Sequence, residues 1–250
     1  MEMKRMNSIF KFWLAVAALM SVMLFSCQDN TINETTRIEK LPPYKYLDLD
    51  GVFNVYLVQD TAFYIKIASI GDSPENISVS IENETLFLTD HTKNKWLNPE
   101  TNKINLFVHA DKLNSIYAHA TCNFETVNPI ISEQFSLIMG GETKLMEGRL
   151  ELNCKNFVYW NSHLCGGKLT LTGNVDNLAV YTFSTAAVDA SNLVSSQAHI
   201  ENNSKGDTRI FVKNKLEYSI RGTGNIYLRG NPPEIVLDEK TSSGELIIQF

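Results

Sequence analysis

The chain has 250 residues with 28 acidic against 22 basic side chains, a formal net charge of −6, and four cysteines. An acidic chain without basic clusters excludes nucleic acid, whose binding depends on cations that neutralise phosphates. So few cysteines exclude a disulfide scaffold, and none has the C-x-x-C spacing of zinc or redox chemistry.

The first feature is an apolar run from Phe12 to Phe25, broken only by Ser21 and preceded by Lys4, Arg5 and Lys11. It is shorter than the roughly 20 residues that cross a hydrocarbon core. A short run behind a basic region reads as a secretory signal over residues 1–26. It stops at Leu24-Phe25-Ser26-Cys27, which resembles the lipobox of bacterial lipoproteins, with Phe25 where a smaller residue is commoner. The resemblance implies acylation at Cys27, and several acyl chains suffice for stable tethering. The expected membrane partner is met through that lipid. Gln28, rather than Asp, after the cysteine implies export to the outer membrane, with the periplasm and the cell surface both open. Removing residues 1–26 takes away three cations and Glu2 alone, so the mature charge is −8.

Residues 27–40 open with Gln28-Asp29-Asn30-Thr31-Ile32-Asn33-Glu34-Thr35-Thr36, a polar, aperiodic stretch expected to be a flexible tether. Residues 41–250 then read as a single domain. Of Cys122, Cys154 and Cys165, at most two could pair, and buried free thiols are expected.

From Tyr44 onward the pattern alternates with period two. "YLDLDGVFNVYLVQD", "FYIKIASI", "ISVSIENETLFLTD" and "KINLFVHA" read as strands, with turns at Asp72-Ser73-Pro74 and Asn83-Glu84. The second half repeats: Ile116, Ile138, Val158, Val180, Ile200 and Ile220 open alternating stretches at intervals of 22, 20, 22, 20 and 20. Small or apolar residues follow at alternate positions, among them Ala118 and Cys122, Thr182 and Ala186, and Asn202 and Ser204. A rung of about twenty residues cannot close a core alone but stacks into a continuous one. The expectation is an all-β, single-stranded right-handed parallel β-helix, with a β-sandwich of short strands as the alternative.

Near the end, Gly222, Gly224, Asn225, Gly230, Asn231 and Pro232 punctuate "RGTGNIYLRGNPPEIVLDEK". The glycines mark a corner where a side chain would clash with the next coil or where φ is positive. Asn231-Pro232-Pro233 ends a strand by removing donors. The stretch reads as terminal-rung punctuation, with "EIVLDEK" as a cap, and lacks the lysine of a phosphate loop. This run, with Ser243-Gly244 and the opening "LDLDGVFNVYLVQD", resembles the head GIN-domain family, described as auto-transporter adhesins and found as secreted lipoproteins. The resemblance spans about residues 44–244 and implies architecture more than action.

Parallel β-helices also carry polysaccharide lyases and hydrolases, whose sites need acids on adjacent rungs or facing carboxylates. Glu142, Glu147, Glu151, Asp176, Asp189, Glu201 and Asp207 show no shared rung phase, and Arg149, Arg209, Arg221 and Arg229 show no pairing pattern. His91, His109, His119, His163 and His199 form no metal-ligand spacing. No catalytic residue, metal or cofactor is expected.

The binding signal lies in Tyr159 and Trp160 on one rung and Tyr181 and Phe183 on the next, a ring ladder able to stack on sugars or anchor a protein, or else core filling. Asp60-Thr61-Ala62 resembles an acceptor for O-glycosylation at Thr61; Asn76, Asn83 and Asn202 begin weaker N-x-S/T matches. The expectation is a non-catalytic cell-envelope lipoprotein, an adhesin-like module presenting a β-helix face to a glycan or protein partner. A carbohydrate-active enzyme on the same scaffold, or a structural envelope protein, stands against it.

Overall fold

The computed structural model describes residues 34–71, 74–93, 102–141, 143–161 and 165–249. The signal segment, Cys27, residues 27–33 of the expected tether, Glu142 and His163 lie outside them. Residues 34–40 do not continue a tether: they form strand β1 (Glu34–Lys40), hydrogen-bonded along its whole length to β4 (Tyr64–Gly71). Its β-branched Thr35, Thr36 and Ile38 suit an extended, pleated edge.

The second half is a parallel β-helix. Strands β8 (Ser115–Ala118), β9 (Cys122–Thr126), β10 (Ile130–Met139), β11 (Leu145–Asn161), β12 (Gly166–Ser204), β13 (Thr208–Ile220), β14 (Ile226–Arg229), β15 (Glu234–Lys240) and β16 (Leu246–Gln249) pair only in parallel. Ile116 faces Leu137, Leu137 faces Tyr159, and Tyr159 faces Val180, so one turn takes 21 or 22 residues there. Thr208 faces Ile226 only 18 residues on, and Ile226 faces Leu246 20 residues on. The twenty-residue repeat is therefore real, with a corrected phase. Ile138 faces Tyr117 and Val158 faces Ala179, both on the outer surface, and Ile220 faces Asn202. A slip of one residue turns a strand's side chains to the opposite face.

The long strands belong to two ladders because they bend. β11 pairs with β9 at Glu147–Arg149 and with β10 from Leu152 onward. Its burial alternates strictly except at Lys155-Asn156, where two successive residues point out and the chain turns a corner.

The amino-terminal end closes differently. β2 (Tyr46–Asp50) and β3 (Phe53–Gln59) join the parallel ladders, whereas β4 runs antiparallel to β7 (Asn102–Ala110), and β5 (Ile77–Glu82) runs antiparallel to β6 (Thr85–Asp90). The β5–β6 link is Asn83-Glu84 with φ of 50° and 61°, the two left-handed residues a two-residue hairpin requires. Arg37 on β1 donates to the carbonyls of Pro74 at 2.7 Å and Ile77 at 2.9 Å, tying one ladder to the other across this end. Tyr44 plugs the core beneath, its hydroxyl donating to the His109 carbonyl at 2.8 Å.

Inside, leucine, isoleucine and phenylalanine fill the turns, and Cys122, Cys154 and Cys165 are buried free thiols, as expected. Burial pushes the Cys122 thiol up to about 12 and the other two to about 11. Such thiols are inert nucleophiles.

One corner is polar within. Asn202, fully buried, donates to the carbonyls of Gly206 and Gly224 at 3.3 and 3.0 Å and accepts from the Ser204 N–H and the Thr182 hydroxyl, both at 3.0 Å. Ser204 donates to the Ala186 carbonyl at 2.7 Å. Two rungs earlier, Asn161 donates to the carbonyls of Cys165 and Phe183 and accepts the Phe183 N–H. These side chains satisfy corner carbonyls and amides that no ladder reaches.

Gly222 and Gly224 sit at this corner for reasons of space. Neither has positive φ; a Cβ at Gly224 would stand 2.0 Å from the Gly206 carbonyl oxygen, and one at Gly222 2.0 Å from that of Ser204. Gly230, by contrast, has φ +98° at the end of β14. Asn225 accepts the Glu245 N–H at 3.0 Å, Asn231 is exposed, and Pro232 is buried. β14 lies between β13 and β16, whereas "EIVLDEK" is strand β15, the last strand of the second ladder among the described residues.

Candidate binding face

The outer surface of the ladder through β2, β8, β10, β11 and β12 carries one aligned position per rung. Asp48 faces Tyr117, Tyr117 faces Ile138, Ile138 faces Trp160, and Trp160 faces Tyr181. Four consecutive rungs thus place a ring or a large aliphatic side chain in one outward row. Trp160 is 43% exposed, and Tyr117, Ile138 and Tyr181 are half-buried.

The predicted ladder is partly corrected. Trp160 and Tyr181 are direct lateral neighbours. Tyr159, 1% exposed, belongs to the core, because adjacent residues on a strand face opposite ways. Phe183 stands two positions beyond Tyr181, half-buried beside the polar corner, its backbone held by Asn161. Sequence reasoning missed Tyr117 and Ile138; counting one rung back from Trp160, and another from there, would have reached them.

The row has defined surroundings. The Tyr117 ring lies along the sheet over Gly140, where a Cβ would meet the phenol oxygen at 2.0 Å. At the amino-terminal end, His119 Nε2 is 3.0 Å from the Asp48 carboxylate and its ring is 4.6 Å from that of Tyr117. At the other end, the Tyr181 and His199 rings are 5.7 Å apart. Burial and the nearby Glu201 carboxylate raise the Tyr181 phenol. Burial disfavours the Glu201 carboxylate, but Arg221 and His199 outweigh it and hold its pKa below the usual value. Arg221 bridges two rungs, from Glu201 at 2.9 Å to Glu239 at 2.5 Å, a pairing hidden in the sequence.

Two strand positions before the row are small residues: Ser115, Ser136, Val158 and Ala179 face one another in turn. Two further back, Gln134 faces Asn156 and Asn156 faces Asn177. The Asn177 amide donates to Asn156 Oδ1 at 2.8 Å. A groove of about 230 Å³ follows these positions, lined by Asn156, Val158, Asn177, Ala179, Gln197 and His199 and ending at Lys215 and Glu217.

The other ladder carries a groove of about 480 Å³ lined by Asn54, Tyr56, Asn123, Glu125, Glu147 and Arg149. Its polar groups serve the ladder itself. Asn123 donates to Asn54 and Asn54 to Asn105, both at 3.0 Å, while Glu125 faces Arg149 and Glu147 faces Lys168. Tyr56 stacks on Phe107 at 4.8 Å.

Thr61 is exposed in the turn from β3 to β4. Beside it Asp60 accepts the Ala62 N–H at 2.8 Å and is hydrogen-bonded to His109 Nδ1 at 2.8 Å, which lowers its pKa. Asn202, fully buried, is no glycosylation site. Among the described residues no group of three or more His, Cys, Asp or Glu could hold a metal ion.

The family model described as "Putative auto-transporter adhesin, head GIN domain" matches residues 43–232. The chain belongs to the head GIN-domain family. No curated protein matches it. Among solved structures, a "putative adhesin" from Bacteroides fragilis superposes with a TM-score of 0.74 at 19% identity, covering 87% of this chain and 97% of that one. A "putative adhesin" from Parabacteroides merdae gives 0.54 at 14% identity, covering 88% and 98%. A "putative lipid binding protein" from Parabacteroides distasonis gives 0.58 at 16% identity, with the same coverage. At these identities the likeness is one of fold, and it agrees with the parallel β-helix. The stretches Leu47–Asp60 and Gly222–Pro232 that carry the resemblance fall within the matched span, and Ser243-Gly244 lies beyond it.

Proposed function

We propose that this GIN-domain protein is a non-catalytic lipoprotein of the cell envelope, tethered through Cys27, that uses one outer face of its β-helix as an adhesin-like binding surface for a glycan or protein partner. The observation that carries this reading is the row Tyr117, Ile138, Trp160 and Tyr181, four successive rungs with large apolar side chains facing out. The core has no use for rings on the outside of the sheet, and aligned exposed apolar groups mark interaction sites. The family description and the apolar leader ending at Cys27 support the same reading.

Protease shaving of intact cells, with an immunoblot for this chain and a periplasmic control, tests the location. Loss of the chain with the control intact is the expected result; survival would sink a surface adhesin. Cys27→Ser should move the chain from the membrane fraction to the soluble one. Cells carrying Trp160→Ala with Tyr181→Ala should lose attachment while keeping the protein at its normal level.

A further inference from the structure

Resting on that reading, we infer that the face binds a linear glycan of extended, β-linked pyranose residues lying along the solenoid axis, between the ring row and the amide row. Three parallel rows define the path. Rings stand on one side at Tyr117, Trp160 and Tyr181, small side chains floor the middle at Ser136, Val158 and Ala179, and amides stand on the other side at Asn156 and Asn177. The open groove covers floor and amides on two of these rungs, at Asn156–Val158 and Asn177–Ala179, and continues over Gln197 and His199 to Lys215 and Glu217.

The period selects the ligand. Strands in a ladder are about 4.8 Å apart, so an outward apolar side chain, a floor residue and an amide recur at that interval over three rungs, Ile138-Ser136-Gln134, Trp160-Val158-Asn156 and Tyr181-Ala179-Asn177. An extended β-(1→4)-linked pyranose chain advances by nearly the same length per sugar, and each sugar meets an equivalent set of groups. An extended peptide presents same-face side chains about every 6.6 Å and drifts out of step with the rungs. A curled α-linked glucan departs from a straight path within a few residues.

The chemistry fits as well. Ring faces suit the C–H faces of pyranoses, and carboxamides both donate to and accept from hydroxyl groups. The Asn177-to-Asn156 hydrogen bond and the placement of Tyr117 over Gly140 hold both sides before a ligand arrives, which limits the ordering cost of binding. The floor and the amides are uncharged, which suits a neutral chain. Charge appears where the groove ends, at Lys215 and Glu217, which pair at 2.8 Å.

The test is titration calorimetry of the full mature chain with cellohexaose, mannohexaose and chitohexaose, against maltohexaose and an oligoproline. At least one β-linked hexaose should bind and maltohexaose should not, with affinity rising with chain length up to about three sugars, one for each of those rungs. Trp160→Ala should weaken binding about tenfold, the scale of one lost aromatic contact. Asn177→Ala should weaken it severalfold, and both variants should keep the parental circular dichroism. If no β-linked hexaose binds while cell attachment still depends on Trp160, the glycan assignment falls and the adhesin reading stands. Oligoproline binding that depends on Trp160 would overturn the glycan in favour of a protein partner. If neither binding nor attachment depends on Trp160, both readings fall.

Discussion

Trp160 and Asn161 are adjacent in the chain and belong to opposite regions of the molecule. Asn161 heads a buried polar corner in which side chains of successive rungs satisfy one another's backbone; Trp160, 43% exposed, belongs to an outward row. The corner's groups are consumed by hydrogen bonds to their neighbours, whereas Trp160 presents much of its ring to solvent. The buried polar corner and the outward row thus meet one residue apart.

Substitution at the corner should break the molecule most severely. Gly224→Val drives a side chain into the Gly206 carbonyl, and a loss of more than ~3 kcal/mol, as for other severe steric mutants, should leave no cooperative thermal melt. The exposed neighbour Thr223→Val should melt like the parent. Asn202→Ala strips partners from two carbonyls, one N–H and one hydroxyl, at a cost of about 2–4 kcal/mol in urea unfolding. Tyr44→Phe, at the closed amino-terminal end, removes one hydrogen bond and should cost about 1 kcal/mol by the same measurement. Trp160→Ala, on the outer row, should change unfolding by less than about 1 kcal/mol, since much of the indole already meets water.

The smallest effect is one of pH. Glu201 has a depressed pKa in the folded chain, so its contribution is complete above the unfolded carboxylate value and disappears as pH falls through the folded one. Arg221→Ala should raise the Glu201 pKa in an NMR titration and flatten the acid side of the stability profile.

Much of this could be read from residues alone. Alternation over Tyr46–Gln59 and the spacing of apolar residues after Ile116 specify strands and a rung near twenty residues, and Asn83-Glu84 is a hairpin turn on its own chemistry. The leading error was phase. Val158 opens an alternating stretch yet faces out, and Tyr159 faces in rather than joining Trp160 in a ring ladder, because Lys155-Asn156 resets the alternation inside β11; Ile138, on β10, also faces out. Two outward residues in succession are legible only when the corner is seen. β1 was taken into the tether because a seven-residue polar edge strand has no apolar face to announce it.

The sequence by itself determined the class of fold, the repeat, the buried thiols and the need for glycine at Gly222 and Gly224, since each follows from local periodicity or from the size of one residue. It also carries the apolar leader and Cys27. Which residues share a row was decided by the tertiary structure alone. Tyr117, Ile138, Trp160 and Tyr181 are brought into line by rung lengths of 21 and 22 residues, set by how each corner closes. Corners close through long-range pairs such as Asn202 with Gly224, whose partners the chain supplies a full turn away.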